Sequence, residues 1–201
     1  MIDAVIDLSH WQPDPIDWAA VKSAGIAVVM LKATQGSNWV DPCFLARTRE
    51  AHCAELLVGA YHFCDASSPS AQAENLLRVA GRKGVLAIDV EPNDMPGDTV
   101  SVQQAAEIAS YLQIATRRAP VVYIGRYGPS GTGLWLPNAI LSRCPLWLPD
   151  WSNHPRLPLG WAHWTFWQYT DVGSVSGIDA PVDRSHFFGT LEELGVWWNK
   201  G

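Results

Sequence analysis

The sequence predicts an α/β fold, a shortened and irregular (β/α) barrel that forms one domain over residues 1–201. Apolar, β-branched segments alternate with amphipathic ones up to about residue 125, which is typical of parallel βαβ units. Three more strand-like segments follow, with Gly-, Pro- and Ser-rich connections in place of full helices. A complete (β/α)8 barrel usually needs about 250 residues. We therefore expect about five βα units followed by about three strands with reduced helices.

The first five strands are predicted at about residues 4–8, 26–33, 57–63, 85–90 and 121–125. Helices are predicted between them at about residues 17–25, 42–54, 70–80 and 101–118. Gly25 ends the first helix, Asp41 and Pro42 suit the cap and first position of the second, and Ser101 opens the fourth with a Ser-x-x-Gln capping box.

The later strand candidates are PLWLPDW, WTFWQYT and GIDAPVDRSHF. A last helix at about residues 190–198 would close the bottom of the barrel. An open doubly wound sheet is the alternative fold. Its nucleotide signatures, GxGxxG and GxxxxGK[ST], do not follow the first strand.

Composition argues against several classes of function. The net charge is −6 and the sequence has no Lys/Arg cluster, so we expect no nucleic-acid partner. No apolar run approaches the roughly 20 residues of a membrane span, so we expect no membrane insertion. The N-terminal MIDAVIDLSHWQ does not read as a secretory signal. We expect synthesis in the cytoplasm without a signal peptide, and a monomer.

Two residue types are informative by their number. The four cysteines have no CxxC or Cys/His ligand spacing, which favours free buried thiols over a disulfide. Core packing explains some of the 11 tryptophans, and a Trp-rich chain also suits stacking on sugar rings.

The segment VLAIDVE, residues 85–91, places two carboxylates at the end of an apolar strand. Strand residues two apart share a face, so Asp89 and Glu91 point the same way. Asp7 near the end of the first strand and Asp183 at the end of the last strand candidate add two more acids. Because the C-terminal strand ends of a barrel carry its chemistry, these acids predict an acidic cleft with aromatic walls.

Glycoside hydrolysis needs such a cleft, with an acid that protonates the leaving oxygen and a negative group near an oxocarbenium-like centre. Crowded carboxylates raise one another's pKa and keep one protonated near neutral pH. Glu91 is the longer side chain and lies nearer the strand tip, so it is the better proton donor, with Asp89 and Asp7 ionised. No metal spacing or Ser-His-Asp arrangement stands out, and we expect no metal and no cofactor.

The segments IDLSHWQ, IDWAAVKSAGI, LKATQG, GAYHF, LAIDVE, VVYIG, LWLPDW, FWQYT and VDRSHF occur in this order. Together they resemble glycoside hydrolase family 25, the lysozymes (N-acetylmuramidases) of phages, bacteria and fungi, over nearly the whole chain. The resemblance implies an irregular barrel without a cofactor, of the phage or bacterial endolysin type. It implies cleavage of the β-1,4 bond between N-acetylmuramic acid and N-acetylglucosamine, with peptidoglycan glycan strands as the partner.

The resemblance also implies roles for individual residues. The catalytic set is Glu91 as proton donor with Asp89, Asp7 and Asp183. The substrate-binding set is Tyr61, Phe63, Tyr123, Trp147, Gln168 and Gln35. At position 35 the family commonly has Glu in KATEG, whereas this chain has KATQG. We expect this change to alter substrate contacts or the cleft potential more than the chemistry.

Several alternatives stay open. A carboxylate could activate water with inversion, or the substrate's own N-acetyl oxygen could attack with Asp89 orienting the amide, with retention. A chitinase-like hydrolase is a second enzyme class, although DxxDxDxE is incomplete in GVLAIDVE. A sugar-binding or virion structural protein on a hydrolase fold is a third reading. Phage-type release would bring the chain to periplasmic peptidoglycan.

Smaller predictions concern single side chains. His62 alternates away from Tyr61 and is expected to be structural. His10 and Lys32 could reach the cleft, and Arg184 could neutralise Asp183. Saccharide stacking or a place in the core or rim is open for three tryptophans: Trp11, Trp151 and Trp167.

Overall fold

A computed structural model describes residues 1–128 and 137–200 of the chain. Its strands are β1 Ile2–Leu8, β2 Val28–Gln35, β3 Trp39–Val40, β4 Leu57–Phe63, β5 Leu86–Asp89, β6 Val121–Tyr123, β7 Leu146–Pro149, β8 Phe166–Gly173 and β9 Val182–Phe187. Its helices are α1 Trp18–Ser23, α2 Phe44–Cys53, α3 Pro69–Ala80, α4 Val102–Thr116 and α5 Leu191–Trp198, with a 3-10 turn at Leu141–Arg143.

Eight strands form a closed barrel, in the order β1-β9-β8-β7-β6-β5-β4-β2 with β2 paired back to β1. The short β3 pairs antiparallel with β2 outside this ring. Helices α1 to α4 connect the strands from β1 to β6, and β7 to β9 follow one another without an α-helix. The predicted shortened barrel is therefore confirmed. The fifth connection differs, since its described part holds only the 3-10 turn.

Strand β9 is the exception to the parallel order. It runs antiparallel to both of its neighbours, β1 and β8. The prediction that Asp183 ends the last strand is therefore wrong, because Asp183 is the second residue of β9. The inverted direction nevertheless brings this residue to the rim where the parallel strands end, opposite Asp7.

Alternate strand residues build two separate cores. Val5, Val28, Val85 and Ala87 belong to the cluster inside the barrel, with Trp147 above them. The intervening residues of the same strands pack outward against the helices. The predicted alternation of VLAIDVE is thus confirmed, and it directs Asp89 and Glu91 to the inner side of the rim.

Helix α5 closes the opposite end of the barrel, as predicted. Its Leu194 and Trp198 are buried among the side chains of the barrel interior. Gly59 on β4 makes room for this plug, because a Cβ there would collide with the sulfur of Met30 and come 3.2 Å from the Trp198 ring. The end of the barrel away from α5 is the one that holds the carboxylates.

Caps explain where the helices begin. Helix α4 has the predicted capping box, in which Ser101 Oγ accepts from the Gln104 backbone and the Gln104 side chain accepts from Ser101 N. Helix α2 begins at Phe44, two residues after the predicted start at about Pro42. The Asp41 carboxylate accepts from the backbone N–H of Cys43, just before the helix, and also from that of His10.

Candidate active site

The rim carboxylates open into a cavity of about 220 Å³ at the C-terminal ends of the parallel strands. Its walls combine acids, aromatic rings and one amide. They are Asp7, Tyr61, Asp89, Glu91, Tyr123, Trp147, Trp151, Gln168 and Asp183. All four predicted catalytic acids therefore meet in one place, although they come from β1, from β9 and from the end of β5 and the residues just after it.

Asp89 and Glu91 lie together at the end of β5, and both resist ionisation. Burial raises the pKa of Glu91 to about 7, while Lys32 opposes this shift and Asp183 adds to it. Burial also raises the pKa of Asp89 well above its usual range, and the Glu91 charge raises it further. Within the described ranges, Asp89 Oδ1 is a buried oxygen that no hydrogen bond reaches. Glu91 is thus suited to donate a proton, and it lies beside Asp89 Oδ1, an acceptor without a hydrogen-bond donor in the described part of the chain.

Asp7 and Asp183 form a second pair of acids across the β1–β9 seam. The pKa of Asp7 is raised well above its usual range, first by burial and then by the Asp183 charge. Burial raises the pKa of Asp183 to about 6, although its hydrogen bond with Asp7 works the other way. The hydrogen bond between the two carboxyls raises the pKa of Asp7 and lowers that of Asp183. Gln168 Nε2 donates to Asp7 from the other side, at 3.1 Å.

Aromatic side chains form the floor of the cavity. The Trp147 ring meets Tyr123 edge to face, with centroids 5.1 Å apart, and Tyr61 at 6.4 Å. Its indole Nε1 donates to Ser185 Oγ at 3.0 Å, which fixes the ring. Tyr123 OH donates to Gln168 Oε1 at 2.9 Å. Such fixed, partly apolar surfaces suit the faces of sugar rings.

Lys32 is the cation that acts on both members of the Asp89–Glu91 pair. It projects from β2, is buried, and lowers the pKa of each carboxyl. Its Nζ donates to Gln35 Oε1 at 2.9 Å and lies 4.8 Å from the centre of the Phe63 ring. Gln35 is neutral, so the charges that raise the pKa of Lys32 are those of Asp89, Asp41 and Glu91. Burial in turn lowers the pKa of Lys32.

Two predicted substrate-binding residues take other positions. Phe63 and Gln35 do not line the cavity, because both pack around the Lys32 ammonium group. The other four, Tyr61, Tyr123, Trp147 and Gln168, do line it. Trp151, for which saccharide stacking or a place in the core or rim was left open, is exposed and also lines the cavity. The catalytic and binding roles themselves stay predictions.

The smaller predictions have mixed outcomes. His62 is buried, where Thr34 Oγ1 lies 2.7 Å from Nδ1 and Gln72 Oε1 lies 3.1 Å from Nε2, so the structural interpretation is confirmed. The Arg184 prediction is wrong, because its guanidinium pairs with Asp3 at 2.8 Å instead of Asp183. His10 lies outside the cavity, and its Nδ1 lies 3.0 Å from an oxygen of Asp41.

Two absences hold for the described ranges only. Residues 1–128 and 137–200 contain no group of three or more His, Cys, Asp or Glu side chains that could hold a metal ion. No helix among them has the length and apolarity needed to cross a bilayer. The four cysteines are free thiols, with Cys64 and Cys144 buried.

A protonated Glu91 beside three more carboxyls is suited to acid-catalysed cleavage of a glycosidic bond, and the barrel places these groups in an open cavity. The chain is a glycoside hydrolase. Residues 6–178 match the profile of Glycosyl hydrolases family 25. The chain belongs to this family.

Relatives agree in sequence and in structure. Lysozyme M1 of Streptomyces globisporus is 35% identical over 94% of this chain and 69% of its own length. The crystal structure of the bacterial lysozyme from Streptomyces coelicolor superposes with a TM-score of 0.84 at 30% identity, and covers 99% of both chains. The muramidase from Trichobolus zukalii gives the same TM-score at 26% identity over 100% of both chains.

Proposed function

We propose that this glycoside hydrolase is a muramidase that cleaves the β-1,4 bond between N-acetylmuramic acid and N-acetylglucosamine in peptidoglycan, with Glu91 as the general acid. The observation that carries the proposal is the raised pKa of Glu91, about 7, in a cavity lined by aromatic rings. A carboxyl with this pKa holds its proton near neutral pH and can also release it. The relatives that are named lysozyme or muramidase support the substrate class.

In the first step Glu91 transfers its proton to the glycosidic oxygen, and the bond from that oxygen to the anomeric carbon breaks. The N-acetylglucosamine end leaves as the neutral alcohol. Positive charge develops on the muramic acid ring, and the carboxylates beneath it stabilise this charge. The Asp7–Asp183 pair contributes here, because two acids that share one proton retain one negative charge.

Asp89 orients the nucleophile in this scheme. Its buried Oδ1 has no hydrogen-bond donor among the described residues, and an unpartnered buried acceptor is costly. The N–H of the muramic acid acetamide is a donor of the right kind. When Asp89 accepts it, the acetamide oxygen is free to bond to the anomeric carbon and form an oxazolinium ring. Water then opens this ring, Glu91 takes the proton from that water, and the β configuration is retained.

The experiment compares wild type with Glu91→Gln on purified sacculi. Mass spectrometry identifies the muropeptides released and the sugar at each reducing end. We expect wild type to release N-acetylmuramic acid ends and Glu91→Gln to lose roughly 10²–10⁴-fold in rate, the usual contribution of a general acid. Glu74→Gln is the matched control, because Glu74 is exposed on α3.

Each part of the proposal can fail separately. Release of N-acetylglucosamine reducing ends, or preference for chitin over sacculi, would contradict the bond specificity. Full activity of the Glu91→Gln variant would contradict the role of Glu91 as the general acid. NMR of the fresh product tests the role of Asp89, because immediate formation of the α-anomer means inversion by activated water.

We further propose that the enzyme acts on peptidoglycan outside the cytoplasmic membrane, after phage-type release as an endolysin.

A further inference from the structure

A second cleft continues the catalytic cavity on one side. It has a volume of about 500 Å³ and shares Glu91, Tyr123 and Trp151 with that cavity. It does not include Asp7, Asp89 or Asp183. A general acid lies at the bond between the sugar that reacts and the sugar that leaves. A cleft that contains the acid without the other three carboxyls therefore lies on the leaving-group side.

Two arginines line this second cleft in a chain whose net charge is −6. Arg126 is half-buried, with its guanidinium carbon 5.7 Å from the centre of the Tyr127 ring. Arg156 is exposed on the opposite loop. Neither forms an ion pair within 4.0 Å in the part of the chain that the structure describes. Arginine is well suited to planar recognition of carboxylates.

Asp150 also lines the second cleft, but its oxygens are already engaged. Oδ1 accepts from Ser152 N at 3.0 Å and from Ser152 Oγ at 2.5 Å, and Oδ2 accepts from Arg156 N at 2.9 Å. Burial raises the pKa of Asp150, but these bonds and the Arg156 charge outweigh it, so the pKa is lowered. The bonds also fix the loop that carries Arg156. Asp150 therefore presents the arginine to the cleft.

We propose that Arg126 and Arg156 bind a carboxylate of the muramoyl unit on the leaving-group side of the scissile bond. This rests on the proposed muramidase activity. Because the glycan alternates, the first leaving-side sugar is a neutral N-acetylglucosamine and the second is an N-acetylmuramic acid. That unit carries an acidic lactyl group, free or extended by a stem peptide with its own carboxylates. The second cleft thus selects anionic glycan over neutral glycan.

The test uses four forms of glycan strand. Peptide-bearing strands carry stem carboxylates, and amidase-stripped strands carry free lactyl carboxylates. Coupling each to methylamine removes these charges. The kinetic constants of wild type are compared with those of Arg126→Gln/Arg156→Gln. The matched control is Arg49→Gln/Lys83→Gln, which removes the same charge from exposed residues outside both cavities.

We expect the Arg126→Gln/Arg156→Gln variant to raise KM about ten-fold on charged strands, with kcat within about two-fold and no change on methylamidated strands. An effect confined to peptide-bearing strands identifies stem carboxylates, and an effect on stripped strands identifies the lactyl group. Unchanged KM on both charged strands, or an equal rise on neutral ones, overturns the proposal. If wild type cleaves no strand, the proposed muramidase activity is wrong. The Kd values of wild type and the arginine variant for the same strands still decide the role of the arginines.

Discussion

Glu91 is costly to the fold in the charged form, and its replacement by Gln should stabilise the protein in a pH-dependent way. Burial raises the pKa of this carboxyl from 4.5 to about 7. The folded state therefore holds the proton more tightly than the unfolded state, and stability is lost as the pH rises through this window. Relative to acid pH, where Glu91 is protonated in both states, the free energy of unfolding falls by about 1 kcal/mol at pH 5 and by about 3 kcal/mol at pH 8. Gln is neutral at every pH, so the substitution removes this loss of stability.

The assay is urea unfolding of wild type and Glu91→Gln at pH 5 and pH 8. We expect the variant to be more stable at both, by about 1 and about 3 kcal/mol. Glu74→Gln, on the exposed side of α3, should change stability by less than about 0.5 kcal/mol at either pH. A Glu91→Gln variant whose advantage does not grow with pH would refute the raised pKa, and with it the reason for choosing Glu91 as the acid.

Four further predictions concern the surroundings of the site and the scaffold. Lys32→Met removes a charge that lowers the pKa of Glu91, so the alkaline limb of the kcat/KM profile should move up by about one pH unit; Lys83→Met is the control. Gln35→Glu should move the same limb in the same direction by less, because the new carboxylate pairs with Lys32. Arg47→Met should cost about 2–4 kcal/mol in urea unfolding, because this buried guanidinium holds the loop after β1 through the carbonyls of Ser9 and Gln12. Ser101→Ala removes the cap of α4 and should cost about 1 kcal/mol in the same measurement.

Local patterns in the sequence were enough to place Asp89 and Glu91. The alternation of side chains along a strand is a property of its backbone. An apolar run that ends in two acids, two residues apart, therefore buries its apolar side chains and places both acids on one face at the rim. The capping box of α4 is equally local, since Ser101 and Gln104 are three residues apart. These predictions needed no knowledge of the rest of the chain.

Strand direction could not be predicted in the same way. β9 pairs with β1 from the far end of the sequence, and its antiparallel direction depends on where the chain enters the barrel. The sequence therefore predicted Asp183 at the wrong end of β9 and predicted the wrong partner for Arg184. Arg184 is the clearest case, because its neighbour in sequence is Asp183 and its neighbour in space is Asp3.

Phe63 and Gln35 are paired across β2 and β4, and both contact Lys32 instead of lining the cavity. The register between β2 and β4 shifts between Lys32 and Thr34. An extra residue at such a point changes the local twist and the direction of the side chains that follow. The sequence LKATQG contains no glycine or proline before the shift that would have indicated it. Arg126 and Arg156 were missed for a different reason, since isolated arginines in loops carry no sequence pattern.

The inverted strand β9 has a chemical consequence as well as a topological one. Asp7 and Asp183 are directly opposed across the antiparallel β1–β9 pair, where facing Cβ atoms lie about 5 Å apart and like charges destabilise. Two ionised carboxylates at this spacing, both largely removed from water, would repel strongly. Burial and the facing Asp183 charge therefore raise the pKa of Asp7, which disfavours ionisation of both carboxyls at once. A parallel last strand would offset the two acids along the slanted ladder. The antiparallel closure therefore places two acids that disfavour each other's ionisation in the same cavity as Asp89 and Glu91.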